Sequence, residues 1–472
     1  MEQIPDEEVT RRVGAENPWW GQPATAGTRF TAKRPRAFLP GFLSLVRERS
    51  VRRAVILLGP RRVGKTVLIH HAIQALLDGG APPREVGYVS VDLPLYHGFS
   101  LERLVGLVER AAGGPVAWLF LDEIQYLEKW EVHLKRLVDD RPDLKLVVSG
   151  SAAAALRVKS RESGAGRFTD FLLPPLTFAE YVELTGEAEP PRPQEPGGTA
   201  AAPDLGELNA AFVNYVNFGG YPEAALSAAV RADPARFIKS DIVDKVLLRD
   251  LPQLYGIGDI PELNQLFTRL AWNTGQELSL DGLASGSGVA KNTIRKYLEY
   301  LEAAFLIRVM QRVDRDARRF QRAVSYKVYL TNPSLRSALF SPLGADDSAM
   351  GCLAETAVLA QWFHEPAPLY YARWGRSGED GEVDLVRLNA NGRPAWATEV
   401  KWSDRWVDAP EGLKGLIRFA AEHRLGRVTA TTRTRSAERA AGGVTIEMVP
   451  TSVYAWRVGN DILARTLRAV TP

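Results

Sequence analysis

Two constellations in this sequence have residue types and spacings suited to chemistry on phosphates. The first opens with Gly59-Pro60-Arg61-Arg62-Val63-Gly64-Lys65-Thr66, which fits G-x-x-x-x-G-K-[ST]. Such a loop turns backbone N–H groups and a helix N-terminus toward phosphate oxygens. Lys65 is expected to reach the β- and γ-phosphates of ATP, and Thr66 to place its hydroxyl on Mg²⁺. Asp122 and Glu123 close the apolar run Leu119-Phe120-Leu121. Asp122 is expected to hold Mg²⁺ through water, and Glu123 to polarise the attacking water. Ser149-Gly150-Ser151 follows the apolar run 144–148, which puts the Ser149 hydroxyl on the γ-phosphate side. Arg167 is either a surface arginine or a finger toward the nucleotide of a neighbouring copy.

The second constellation lies late in the chain. Asp384 enters the apolar run 383–386, and Glu399-Val400-Lys401 ends the run 396–400. Residues i and i+2 of a strand share a face, so Glu399 and Lys401 point the same way. An acid on one strand and E-x-K on the next make the PD-(D/E)xK nuclease-like pattern. Asp384 and Glu399 are expected to bind Mg²⁺, while Lys401 positions or activates water and stabilises phosphate charge. Glu355, on an expected helix over 352–363, supplements the trio. Alternating charge on a hairpin also produces E-x-K by chance, and many domains of this kind bind nucleic acid without cutting it.

The elements that must carry these residues are legible as patterns. Apolar runs at 54–58, 86–91, 116–121 and 144–148 read as buried parallel strands. Helical spacing at 66–77 and 101–111 lies between them, so 51–186 reads as an α/β domain. Prolines 190, 191, 193, 196 and 203 mark 187–207 as an insertion or linker. Residues 208–275 read as a helical lid region, with Gly219-Gly220-Tyr221-Pro222 as a turn. In 276–331, a short helix, the turn Gly286-Ser287-Gly288 and a longer helix from Lys291 give a helix-turn-helix layout. Strand-like segments at 305–309 and 324–330 would form a wing around the basic tip 315–322. Residues 1–50 read as an irregular N-terminal arm, and 332–472 as a further α/β unit.

Charge adds a partner to this picture. The 59 Lys and Arg against 56 Asp and Glu give only +3 overall. Residues 285–327, however, hold ten basic side chains (291, 295, 296, 308, 312, 315, 318, 319, 322, 327) against the acids 299, 302, 314 and 316. A second block, Arg29 to Arg53, has only Glu48 among its basic residues. In a DNA reader, Lys291, Asn292 and Arg295 would face bases and the tip arginines phosphates. The bland alternatives are an interdomain joint for the first block and an arm packing its tryptophans for the second. Cys352 alone makes no internal disulfide, and the histidines share no metal-ligand spacing. No apolar run approaches the ~18 residues that span a bilayer, and the acidic start (Asp6, Glu7, Glu8) lacks a signal-peptide core. The expectation is a soluble, cytoplasmic, multidomain protein without a membrane partner.

The chain resembles the prokaryotic AAA-type ATPases that carry a C-terminal domain of uncharacterised function. The resemblance rests on 17–20, 59–66, 119–125, 149–151, Gly166-Arg167, 174–181, 219–223 and Arg249-Asp250. It implies a P-loop AAA-type parallel-sheet domain, a helical and winged-helix middle region, and a restriction-endonuclease-like α/β domain at the C-terminus. Asn332 departs from the family's usual Asp, so no role is carried over to it. The expected function is Mg²⁺-dependent ATP hydrolysis coupled to nucleic-acid binding or processing, DNA before RNA, with a homo-oligomer compatible. The alternative is an ATP-dependent assembly switch with a protein partner and a non-cleaving C-terminal domain.

Overall fold

Five consecutive apolar residues, Ala54–Leu58, form β1, buried along its whole length. In the computed structural model β1 pairs in parallel with two neighbours, and the sheet continues through Val86–Ser90 (β2), Trp118–Asp122 (β3), Lys145–Gly150 (β4) and Phe168–Leu172 (β5). The order is β2-β3-β4-β1-β5, so β4 lies between β1 and β3. The structure describes residues 5–21, 30, 32–150, 166–191, 204–313, 325–365, 367–374 and 381–468. They fall into two compact units, 1–174 with 463–472, and 175–462. Among the described residues no helix is long and apolar enough to cross a membrane.

In the first unit the parallel strands are joined through helices such as Lys65–Asp78 and Leu101–Ala112. The latter starts under a Ser100 side-chain cap and stops at Gly113 in the left-handed region, as its sequence signals direct. The arm expected to be irregular instead contains helices Asp6–Glu16 and Leu39–Arg47. Val9 and Val13 supply the buried i, i+4 stripe of the first. Asn17 then takes the place of a neighbouring strand for the edge strand β2. Its amide donates to the Tyr88 carbonyl at 2.8 Å and accepts from the Tyr88 N–H at 2.7 Å. Trp19 and Trp20 both donate to the Val86 carbonyl, at 2.8 and 2.9 Å. An open edge is thereby closed by side chains. Asn17→Ala leaves both Tyr88 groups buried and unpaired, and is expected to lower unfolding stability by about 2 kcal/mol in urea titrations.

The second unit is built on Glu277–Ser279 (β6), Ile307–Val313 (β7), Ser325–Leu330 (β8), Tyr370–Trp374 (β9), Gly381–Leu388 (β10), Pro394–Glu399 (β11), Arg427–Thr432 (β12), Ala437–Ala441 (β13) and Val444–Pro450 (β14). Their order is β13-β14-β12-β11-β10-β9-β7-β8-β6. The helices Leu280–Ser287 and Lys291–Ala303 are separated by Gly288 at φ 74° and precede the antiparallel pair β7–β8. β7 changes partners midway: Ile307–Met310 pair with β8, and Gln311–Val313 with β9. The expected wing strands and the C-terminal strands are thus one continuous sheet with a corner at residues 310–311. That corner decides which side chains meet in the site below.

Candidate functional site

The loop after β1 is shaped by backbone that only particular residues adopt. Gly59 has φ 155° and a Cβ there would stand 2.3 Å from the Leu173 carbonyl oxygen. Gly64, at φ 93°, is the N-cap of the helix Lys65–Asp78. Lys65 is 6% exposed, and its ammonium donates to the carbonyls of Gly59 at 3.0 Å and Pro60 at 2.8 Å. From behind, the buried Arg36 guanidinium donates to the Val63 carbonyl at 2.6 Å and the Pro174 carbonyl at 3.0 Å. Arg36 belongs to the first basic block, so part of that charge holds the loop. Arg47 and Arg49 likewise bind backbone carbonyls of Ala75 and Asp143.

Thr66 Oγ1 donates to Asp122 Oδ2 at 2.6 Å. Tyr88 OH donates to the same oxygen at 3.2 Å, and Ser149 Oγ donates to Asp122 Oδ1. The loop and the acid at the end of β3 are therefore tied together. Burial first, then the Glu123 charge, raise the Asp122 carboxyl above its ordinary value, against the hydrogen bonds from Ser149 and Thr66. Glu123 takes the left-handed backbone region at φ 58°, which for a non-glycine residue is strain of the kind that collects at working sites. Gln125 Nε2 fixes its Oε2 at 2.6 Å. Thr66 and Asp122 offer hard oxygen donors, a set that fits Mg²⁺ shared with phosphate oxygens.

The remaining expected members, Ser149 and Arg167, differ in their distance from the loop. Ser149 is fully buried, and its hydroxyl donates to Asp122 and accepts the Glu123 N–H at 3.4 Å, beside the two acids. Because β4 runs between β1 and β3, Ser149 positions the two acids. Arg167 precedes β5 and accepts the Ala54 N–H, at the start of β1. The loop leaves the other end of β1, about 13 Å away at ~3.3 Å per residue, so Arg167 is not part of this chain's own nucleotide site. Its guanidinium pairs with Asp139 at 2.7 Å. Ser151, Gly164, Ala165, Arg29, the prolines 193–203 and the tip 315–322 lie outside the described residues.

In the second unit, Glu355, Asp384, Glu399 and Lys401 do come together, around a residue whose sequence context points to the wing. Lys327, from β8, is 2% exposed. Its Nζ lies 2.9 Å from Glu355 Oε1, 3.0 Å from Asp384 Oδ1 and 2.6 Å from Glu382 Oε1. Tyr329 OH donates to Glu355 Oε1 at 2.5 Å. Lys401 Nζ lies 2.6 Å from Glu399 Oε1 and 3.6 Å from Asp384 Oδ2, and the Val400 N–H donates to that Asp384 oxygen at 2.9 Å. The expected Mg²⁺ pair, Asp384 and Glu399, is thus bridged by an ammonium, and both Asp384 oxygens are engaged. As it stands, this donor set does not fit a divalent cation. Among the described residues no group of three or more His, Cys, Asp or Glu is placed to hold a metal.

Burial works against the Asp384 carboxylate, but the ammoniums of Lys327 and Lys401 hold it below its ordinary value. Burial, and then the Asp384 charge, push Glu355 up to about 7 and Glu399 up to about 8. Burial disfavours the charged form of Lys327, yet Asp384 and Glu355 outweigh it and raise the ammonium well above its usual range. A lysine flanked by alternating apolar and tyrosine positions in 325–330 is the one sequence signal for this residue. Counted as surface charge, it is missed. Of the other basic side chains near the helix-turn-helix, Lys291 pairs with Asp281, Arg312 with Glu277, and Arg308 donates to the Trp362 carbonyl. Lys291, Asn292, Arg295 and Lys296 lie on the second helix, with Lys291, Asn292, Arg295 and Lys296 all outside its buried stripe.

A five-stranded parallel sheet, a phosphate-type loop after its β1 strand and an acid tied to that loop define a P-loop protein of the AAA type, and residues 51–182 match the AAA domain family. Residues 209–348 match a domain of unknown function (DUF8612). The uncharacterized protein MJ1544 of Methanocaldococcus jannaschii is 25% identical over 194 residues, which span 40% of this chain and 42% of that protein. The uncharacterized protein Rv2008c of Mycobacterium tuberculosis is 30% identical over 362 residues, 74% of this chain and 70% of its own length. The chain belongs to the same family as this mycobacterial protein. Among solved structures, AMPPCP-bound DnaA from Aquifex aeolicus is 14% identical, covering 56% of this chain and 85% of that one at a TM-score of 0.27, a likeness too slight to carry an argument.

Proposed function

We propose that this protein hydrolyses ATP with Mg²⁺ at the loop 59–66 and couples turnover to nucleic acid. The observation that carries the reading is the bonded link from Thr66 through Asp122 to Ser149, with Lys65 held inside the loop. Backbone N–H groups of Gly59, Arg61, Arg62, Val63 and Gly64 suit the phosphates, while Pro60 shapes the loop without a donor. Lys65 would move from the loop carbonyls to the β- and γ-phosphates. Thr66 and Asp122 would hold Mg²⁺, which when bound neutralises phosphate charge. Glu123, fixed by Gln125, would take the proton of the attacking water. Arg167, beyond reach of its own loop, would serve the nucleotide of a second copy in a homo-oligomer.

In this reading 276–331 is a winged-helix segment and 332–472 a nuclease-like domain. Asn292, Arg295 and Lys296, on the outward side of their helix, support a face for DNA. Basic contacts to phosphates release counterions, so stimulation should depend on salt. Adding duplex DNA at about 50 mM salt is expected to raise ATP turnover several-fold, and about 300 mM salt to abolish the rise, as counterion release requires. Arg295→Glu with Lys296→Glu should weaken DNA binding at least about tenfold. Turnover unmoved by DNA and RNA at low salt would leave the second reading, an ATP-dependent assembly switch with a protein partner and a C-terminal domain that does not cut. One observation favours that reading for the C-terminal domain: Lys327 stands among its acids.

A further inference from the structure

Three carboxylates from two elements converge on one buried nitrogen. Lys327 Nζ touches Glu355 Oε1 from the helix Met350–Ala360, and Glu382 Oε1 and Asp384 Oδ1 from β10. Hard oxygens converging on a point are what a divalent cation takes as its inner shell, though a metal draws them in to about 2.0–2.6 Å. Here the separations are 2.6–3.0 Å, the spacing of ammonium hydrogen bonds. The lysine is built in: it is 2% exposed, and its ammonium lies 5.7 Å from the centre of the Tyr371 ring. A second, separate observation marks the cluster as more than an ion-pair network. Glu399 is 9% exposed and its Oε2 has no hydrogen-bond partner, while Oε1 is held by Lys401. A buried carboxylate oxygen left without a partner beside these ion pairs shows that the cluster is not fully satisfied as it stands.

We infer that Lys327 is an internal cation occupying the place of a divalent metal among Glu355, Glu382 and Asp384, so that the nuclease-like cluster is a latent metal site kept closed by the chain's own ammonium. The inference rests on the reading of this cluster as nuclease-like. Lys327 reaches the β10 acids although β9 and β7 lie between β8 and β10 in the sheet order, β7 changing partner at residues 310–311. Exchange of the lysine for a neutral side chain removes one positive charge from among the acids and opens room for a hydrated ion. With the lysine in place, the cluster takes up no divalent cation.

The test is Mn²⁺ titration of the full chain without nucleotide, followed by calorimetry and by the electron-spin signal of free Mn²⁺. Wild type, Asp384→Asn, Lys327→Met and Lys327→Met/Asp384→Asn are compared, with circular dichroism to check folding. Wild type should show no Mn²⁺ site that Asp384→Asn removes. Lys327→Met should gain one site at least tenfold tighter than any wild-type binding, and the double variant should lose it. If Lys327→Met does not fold, Lys327→Ser, which admits water to the acids, is read in the same way. Lys327→Arg, which retains the charge, should stay as silent as wild type. A Mn²⁺ site in wild type or Lys327→Arg that depends on Asp384 overturns the inference while the nuclease-like reading stands. A folded neutral variant that gains no site overturns both.

Discussion

Glu123→Gln is expected to lower the ATP turnover number by about 100- to 10 000-fold, the range that loss of a positioned general base produces. ATP affinity should stay within about threefold, because phosphate contacts come from the loop and Lys65, and not from Glu123. The substitution keeps the shape of the side chain and an oxygen to accept the Gln125 amide, so the left-handed turn at 123 is not disturbed. Lys65→Ala should behave differently. It removes the buried ammonium of the loop, which at present satisfies the Gly59 and Pro60 carbonyls, and binding itself should fail. Steady-state turnover and equilibrium binding of a fluorescent nucleotide separate the two cases. If Glu123→Gln retained turnover, the strand-end acid would have no part in hydrolysis. Hydrolysis would then stand, with the general base to be sought among other side chains near the loop.

The loop was legible because every part of it is local: a strand, eight consecutive residues and a helix start. Asp122 and Glu123 were legible because an apolar run ended in acids. Arg36 was not, because its contact with Val63 spans a turn of chain that no periodicity describes. Ser149 was legible as the end of an apolar run, but its bonds to Asp122 and Glu123 depend on β4 lying between β1 and β3, a strand order that no single segment encodes. The same limit applies to the second unit. Asp384, Glu399 and Lys401 could be grouped because β10 and β11 are adjacent and antiparallel. Lys327 joins them only through the change of partner in β7, where Met310 faces Lys327 and Gln311 faces Tyr370. A basic residue in a strand reads as surface charge until that corner is known.

The buried acids also fix how stability should vary with pH. Glu355 at about 7 and Glu399 at about 8 both lie above the 4.5 of an unfolded chain. Between those limits the folded protein binds more protons than the unfolded one, so stability falls as pH rises. Asp384 acts in the opposite window. Its folded value is depressed, so its contribution is present above 3.8 and is lost as pH falls through the folded value. Glu16, raised to about 7 chiefly by burial in the first unit, adds a slope of the same sign as Glu399. The total slope therefore cannot identify the cluster, but a difference between variants can. Glu399→Gln replaces a carboxyl that is protonated when buried by a neutral amide of the same shape. Its Oε1 can still accept from Lys401, and its NH₂ stands where the unpartnered Oε2 now lies. At about pH 5 the variant should match wild type in urea. At about pH 8 it should be the more stable of the two by more than about 1.4 kcal/mol, the equivalent of a tenfold change in proton affinity. Lys327 and Lys401 remain charged across this range, because nearby acids hold both above their ordinary values against the effect of burial. Parallel curves for the two proteins would mean that Glu399 is ionised in the folded state. The lysines would then balance one more negative charge than the cluster's burial favours.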